Sequence, residues 1–246
     1  MIVFPWAEQE IDCKMPSNYS WVDALGRRNA SMKFSALKAI GLGIGLFVVV
    51  YVPAFVTTAL VRPRIDIAIP LIIAITSLVA LILMFLLAQS PAGVAEFGFR
   101  IPYSRYLAVA TVFGLALGIA VTFLGHLFPS KPPFDVSHFA PWMIGLYFII
   151  GSPIQEEIIF RGLIQSVLER RRMITVPAFG GSLSGAVVFT ALLFGMIHLA
   201  LGAVVAIGAI VLGLVAGELR RRSASLLPAI VVHALFNAAD AFWSKM

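Results

Sequence analysis

Apolar residues in this chain come in long runs, and most charged residues are confined to the gaps between them. Runs of spanning length, about 20 residues for a bilayer core of about 30 Å, cover Leu37–Leu60, Ile67–Ala88, Tyr106–Leu127, Trp142–Leu168, Leu183–Leu199, Val204–Leu219 and Leu226–Phe242. The pattern predicts an all-α fold, a polytopic transmembrane helical bundle of about seven membrane helices. Residues 1–36 are mixed and polar and lack the basic and apolar regions of a signal peptide. They are expected to form a cytoplasmic N-terminal segment, partly disordered, with Met32 as a more ordinary start for a membrane protein. Ser90–Pro102 is too polar to span and is expected along the interface, and Pro129–Pro141 is a Pro-rich loop holding Lys131, Asp135 and His138. Three parts result: the segment 1–36, membrane helices and the interfacial stretch over 37–140, and the helices of 141–246.

Composition excludes a soluble protein. The hydrophobic fraction is 60% against about 45–50% in soluble domains, and mean hydropathy is +0.98. The net charge of +6 would suit nucleic acid, but the basic residues sit at the ends of the apolar runs. That placement marks membrane orientation, so the partner is the lipid bilayer and no nucleic acid is expected. With the N-terminus cytoplasmic, that side holds thirteen Lys and Arg and the opposite side four. The positive-inside rule favours this orientation in a cell membrane. Arg170–Arg172 and Arg220–Arg222 then read as topology anchors near acidic headgroups. Cys13 is the single cysteine, which rules out an internal disulfide framework and a multi-cysteine metal site.

Against this background the stretch from Gly151 to Leu163 stands out. It places Glu156, Glu157 and Arg161 inside a spanning run, where each charge needs a partner and a reason. Glu157 and Arg161 are i and i+4, on one face and in the favourable order for an ion pair. Glu156 points about 100° away, left free to act as a general base for water. His198 follows Phe194 at i+4 near the end of the fifth run. His233 and Asn237 share one face of the last. From Leu183 to Gly217 there is no charge at all, so this hairpin is expected to end shallowly, bringing His198 toward the level of Glu156. Each feature alone has a plainer reading: a structural ion pair, a capping histidine, a helix–helix hydrogen bond. Together they are nearly all the strongly polar side chains of the C-terminal spans, and intramembrane ionisable groups face the bundle interior. A carboxylate, two imidazoles and an amide suffice to deprotonate a water, direct it at a carbonyl and stabilise the oxyanion. Glu156, His198 and His233 are equally candidates to hold a divalent metal such as zinc. The common zinc-protease and serine-hydrolase motifs are absent.

Glu156-Glu157-x-x-Phe160-Arg161, Phe194-x-x-x-His198 and His233-x-x-x-Asn237 together resemble the CAAX-processing and bacteriocin-processing (CPBP, or Abi) family of intramembrane proteases, relatives of the type II CAAX prenyl endopeptidase. The resemblance covers about Gly151–Asp240, and the run from Gly217 through Ser225 to His233 is similar to the family's lead-in to its last motif. It implies an intramembrane endopeptidase, or (metallo)endopeptidase, acting on a membrane-associated or lipidated peptide, either a CAAX-type prenylated chain or a bacteriocin or membrane peptide. By position, Glu156 and His198 activate the water, His233 and Asn237 form the oxyanion site, and Glu157 and Arg161 support them. The expected access route is an apolar cavity opening toward the cytoplasmic leaflet. Two other classes compete: a non-proteolytic membrane scaffold or bacteriocin-immunity factor, and a proton-coupled transporter. A transporter should carry paired interrupted helices in two halves, whereas the ionisable residues here lie nearly all in one half.

Overall fold

The computed structural model describes residues 21–61, 64–88, 93–128, 139–171, 175–178 and 181–243. The stretch 1–20 with Cys13, and the loop residues Lys131, Asp135 and His138, lie outside the described residues. Seven helices follow in order: α1 (Trp21–Val61), α2 (Ile65–Leu87), α3 (Ser104–Leu127), α4 (Pro141–Arg170), α5 (Gly185–Ile197), α6 (Ala203–Ser223) and α7 (Leu227–Trp243). They coincide with the seven apolar runs, and the molecule is a helical membrane bundle. Five are long and apolar enough to cross a membrane, while α5 and the apolar part of α7 are shorter. At 1.5 Å per residue α5 is about 20 Å long, too short for a bilayer core of about 30 Å.

Hydropathy misplaced three features. Helix α1 begins at Trp21 rather than Leu37. Between α4 and α5 lies a short antiparallel hairpin, β1 (Thr175–Ala178) and β2 (Gly181–Ser184), with Thr175 opposite Ser184. Leu183 therefore belongs to a strand, and α5 starts two residues later, where the Ser184 hydroxyl accepts a hydrogen bond from the Ala186 N–H at 3.2 Å. A serine at this position satisfies one of the orphan donors of the first turn. Finally, α4 is not uniformly α-helical: Gly145–Gly151 and Ile158–Gln165 are π-helical, flanking an α-helical turn at Ser152–Glu157. Pro153 heads that turn; its ring would collide with the carbonyl four residues back and it has no N–H to donate, so the preceding turn widens. In the second π segment the Ser166 hydroxyl donates to the Arg161 carbonyl, five residues behind it.

One end of the bundle is an arginine-rich clamp. Arg170 donates to the Leu87 carbonyl at 3.1 Å, pairs with Glu96 at 3.5 Å, and lies over the Phe97 ring. Arg220 donates to the Glu96 carbonyl and to the Ser166 hydroxyl. The Leu226 N–H reaches the Gly98 carbonyl, and the Ser225 hydroxyl the Arg100 carbonyl. Arg170 and Arg220 are thus turned inward, not spread as headgroup anchors; they pin the turn at Gly93–Phe97 beneath the ends of α2, α4 and α6. Arg221 and Arg222 stay exposed and pair with Glu218.

Helix α3 sets the position of α7. Its buried stripe is Ala110, Gly114, Gly118 and Thr122, the small-residue spacing that lets membrane helices approach closely. A Cβ on Gly114 would stand 2.6 Å from the Val232 carbonyl, and one on Gly118 2.7 Å from the Ala239 Cβ. Near the far end of this seam the Thr122 hydroxyl bonds to Asp240 at 3.0 Å.

Candidate active site

The strongly polar groups of α4, α5 and α7 converge. Glu157 and Arg161 are fully buried and paired at 3.1 Å, as their spacing suggested. The same Glu157 oxygen faces His233 Nδ1 at 2.9 Å. Because a carboxylate can only accept, Nδ1 carries a proton, and the ring is fixed with Nε2 toward Glu156. The separation to Glu156 Oε2 is 3.5 Å, an ion-pair distance but beyond a good hydrogen bond. The other Glu156 oxygen accepts from the Ser152 hydroxyl at 2.8 Å. Glu156 is thus less free than spacing alone implied: one oxygen is anchored to its own helix and the other is turned to the imidazole.

His198 closes α5 as its C-terminal cap residue, with Nδ1 2.7 Å from the Phe194 carbonyl. A carbonyl also only accepts, so Nδ1–H donates and Nε2 keeps its lone pair. Asn237 donates from Nδ2 to the Phe148 carbonyl at 2.7 Å, tying α7 to the first π segment of α4; the carboxamide nitrogen has a second N–H to offer. The Phe194 ring, 1% exposed, sits among these groups. It lies 4.5 Å from His198, 5.4 Å from His233 and 5.2 Å from Phe160, with the Arg161 guanidinium 4.8 Å from its centroid. Gly213 on α6 leaves room behind Arg161, since a Cβ there would lie 3.1 Å from Nη2 and 2.9 Å from Ala191.

Glu156, His198, His233 and Asn237 line one cavity of about 420 Å³, with Phe194 and Leu212 at its buried end. Glu157 and Arg161 stand behind this wall. Two further polar residues face the cavity that spacing arguments passed over, Ser152 and Asp240. Both were readable: Ser152 is four residues before Glu156 on the same helical face, and Asp240 is seven after His233. The cavity extends from Glu156 toward the Pro141 end of α4. It does not extend toward the arginine-bearing end, because that side of Glu156 is packed solid from Ile158 to Leu168. The metal candidates Glu156, His198 and His233 are not gathered as a ligand set. Among the described residues no group of three His, Cys, Asp or Glu side chains is placed to hold a metal ion, and both His233 nitrogens face carboxylates of α4.

Residues 138–239 match the family model of the type II CAAX prenyl endopeptidase Rce1-like proteins, a span that contains Ser152, Glu156, Glu157, Arg161, His198, His233 and Asn237. No curated protein and no solved structure matches the chain. From the start of α4 to the Asn237 face of α7 the chain is similar to the type II CAAX prenyl endopeptidase Rce1-like family, which supports a CAAX-type protease in general.

Proposed function

We propose that the protein is an intramembrane endopeptidase that hydrolyses a peptide bond of a membrane-associated polypeptide with a water activated by Glu156 and His198. The observation that carries this reading is that Glu156, His198, His233 and Asn237, from three helices, line a single cavity. Glu156 takes a proton from the water, and His198 Nε2 accepts the second water proton as a hydrogen bond and directs the oxygen at the carbonyl carbon. As the carbonyl becomes an oxyanion, the second N–H of Asn237 and a protonated His233 Nε2 hold it. Collapse of the tetrahedral intermediate expels the amine, which receives the proton held by Glu156. Glu157 and Arg161 do not touch the reacting atoms. Glu157 orients His233 through Nδ1, and Arg161 balances Glu157.

The test uses purified protein in nanodiscs with a quenched prenylated CAAX-type peptide and a panel of unprenylated membrane peptides. Wild type is compared with Glu156→Gln and His233→Ala, each with and without a chelator. Loss of a general base or an oxyanion donor is expected to lower cleavage by about 10²–10⁴-fold. Cleavage that survives both substitutions would overturn the assignment.

A further inference from the structure

The proposed mechanism uses Glu156, His198, His233 and Asn237, and Ser152 serves Glu156. One ionisable group of the cavity is left without a role. Among the described residues that line it, Asp240 is the only carboxylate besides Glu156, and its neighbours in the wall are mostly apolar, among them Ile144, Phe148, Leu201, Val205 and Phe236. Asp240 stands one position beyond the stretch that matches the family model.

Its position relative to the reacting groups follows from helix geometry. Asp240 is seven residues after His233, which returns it to within about 20° of the same direction around α7, and three after Asn237, a rise of about 4.5 Å. Exposure increases along this face, from His233 at 2% through half-buried Asn237 to exposed Asp240. An extended chain advances about 3.3–3.6 Å per residue. A polypeptide whose scissile carbonyl is held by Asn237 therefore passes Asp240 within one or two residues of the bond that breaks.

The carboxylate is held in place with most of its capacity unspent. The Thr122 hydroxyl on α3 lies 3.0 Å from Oδ1 and also faces the Gly118 carbonyl at 2.8 Å, so its single proton is shared between two acceptors. Two oxygens offer about four acceptor sites, and among the described residues Thr122 is the one hydrogen-bond partner of Asp240. The tight seam of Gly114 and Gly118 against α7 keeps this partner in register. A fixed carboxylate among apolar walls attracts a cation more strongly than one in bulk water, and it repels a second carboxylate.

We propose that Asp240 is a specificity-determining residue, which selects polypeptides with a Lys or Arg side chain one or two residues from the scissile bond. This rests on the proteolytic reading of the cavity. The pair forms toward the exposed end of the lining, so its strength falls between that of a surface ion pair and that of a buried one, and the expected preference over an apolar residue is about tenfold.

The test uses quenched membrane peptides that carry Lys, Leu or Glu at each of the two positions on either side of the cleaved bond, in nanodiscs of zwitterionic lipid so that the bilayer itself does not favour cations. Wild type is compared with Asp240→Asn, which keeps an oxygen for Thr122 and removes the charge, and with Asp240→Lys. At one or more of these positions wild type is expected to cut in the order Lys, Leu, Glu. Asp240→Asn is expected to flatten that order and Asp240→Lys to reverse it. A purely structural residue would lower all three rates together. An order that is flat in wild type, or unchanged in Asp240→Asn, would overturn the proposal while leaving the proteolytic reading in place. Binding of the same peptides to the Glu156→Gln protein, with Asp240 intact or replaced by Asn, separates the two questions. If wild type cuts nothing but Lys peptides bind about tenfold tighter only when Asp240 is present, the proteolytic reading fails and the selectivity stands. Equal binding of all peptides, or none, would overturn the selectivity.

Discussion

At the scale of single residues, the site is built from hydrogen bonds whose direction is forced by the chemistry of the acceptor. The Phe194 carbonyl fixes the tautomer of His198, Glu157 fixes the ring orientation of His233, and Ser152 fixes one oxygen of Glu156. Ser152 is the least obvious of these. Its hydroxyl is the hydrogen-bond donor to Glu156, so Ser152→Ala leaves that carboxylate free to rotate. A hydrogen bond to a charged group is worth about 1.5–3 kcal/mol, so cleavage is expected to fall by about 10- to 150-fold, with KM little changed. Equal kcat in the variant would remove Ser152 from the positioning of Glu156. Phe194 is the other sensitive point, because its ring contacts both histidines and Arg161. Helical spacing made the Glu157–Arg161 pair legible in advance, since i and i+4 side chains must meet. It could not show that His233 would lie between two carboxylates of α4. That contact joins residues 76 positions apart, and only the packing of α4 against α7 decides it.

At the scale of elements, the decisive seam is α3 against α7, because α7 carries His233 and Asn237. Gly118→Leu would drive side-chain atoms into Phe236 and Ala239, and overpacking of a tight interface costs about 1–3 kcal/mol. The expected result is a lower melting temperature in detergent together with lost cleavage, as α7 is pushed off α4. Gly125→Leu, on the same helix but facing open space, serves as the control and is expected to leave both unchanged. A stable, active Gly118→Leu protein would show that the seam does not position the site. Hydropathy read the helices well because removal from water is the property it measures. It missed the π-helical segments of α4 because a widened turn changes backbone pairing without changing composition. It missed the hairpin because two four-residue strands are too short to leave a pattern, and it placed α1 too late because the first turns of that helix are not apolar.

At the scale of the whole molecule, the helices outside the family match act as a frame for those inside it. Phe47 and Tyr51 of α1 pack on Phe160, α3 carries α7, and the Gly93–Phe97 turn is bolted beneath α4 and α6. Nothing in residues 1–140 announced this role, since framing needs only shape and apolar surface. The bundle is also divided across its thickness. On one side of Glu156 is a cavity; on the other, every residue from Ile158 to Leu168 is buried, and the polar ones are engaged, Gln165 with the Gly217 carbonyl and Glu169, Ser166 with the Arg161 carbonyl. That solid layer has an electrical meaning. A polar funnel that reached both faces would short-circuit the membrane, whereas one that stops at a packed floor leaves the bilayer insulating. Proteoliposomes carrying the protein are therefore expected to hold an imposed pH gradient as long as protein-free vesicles do. A faster decay that vanishes in Glu156→Gln would instead reveal a proton path through the floor. If the layer holds as built, hydrolysis can proceed at mid-membrane depth while the proton-motive force across it is left intact.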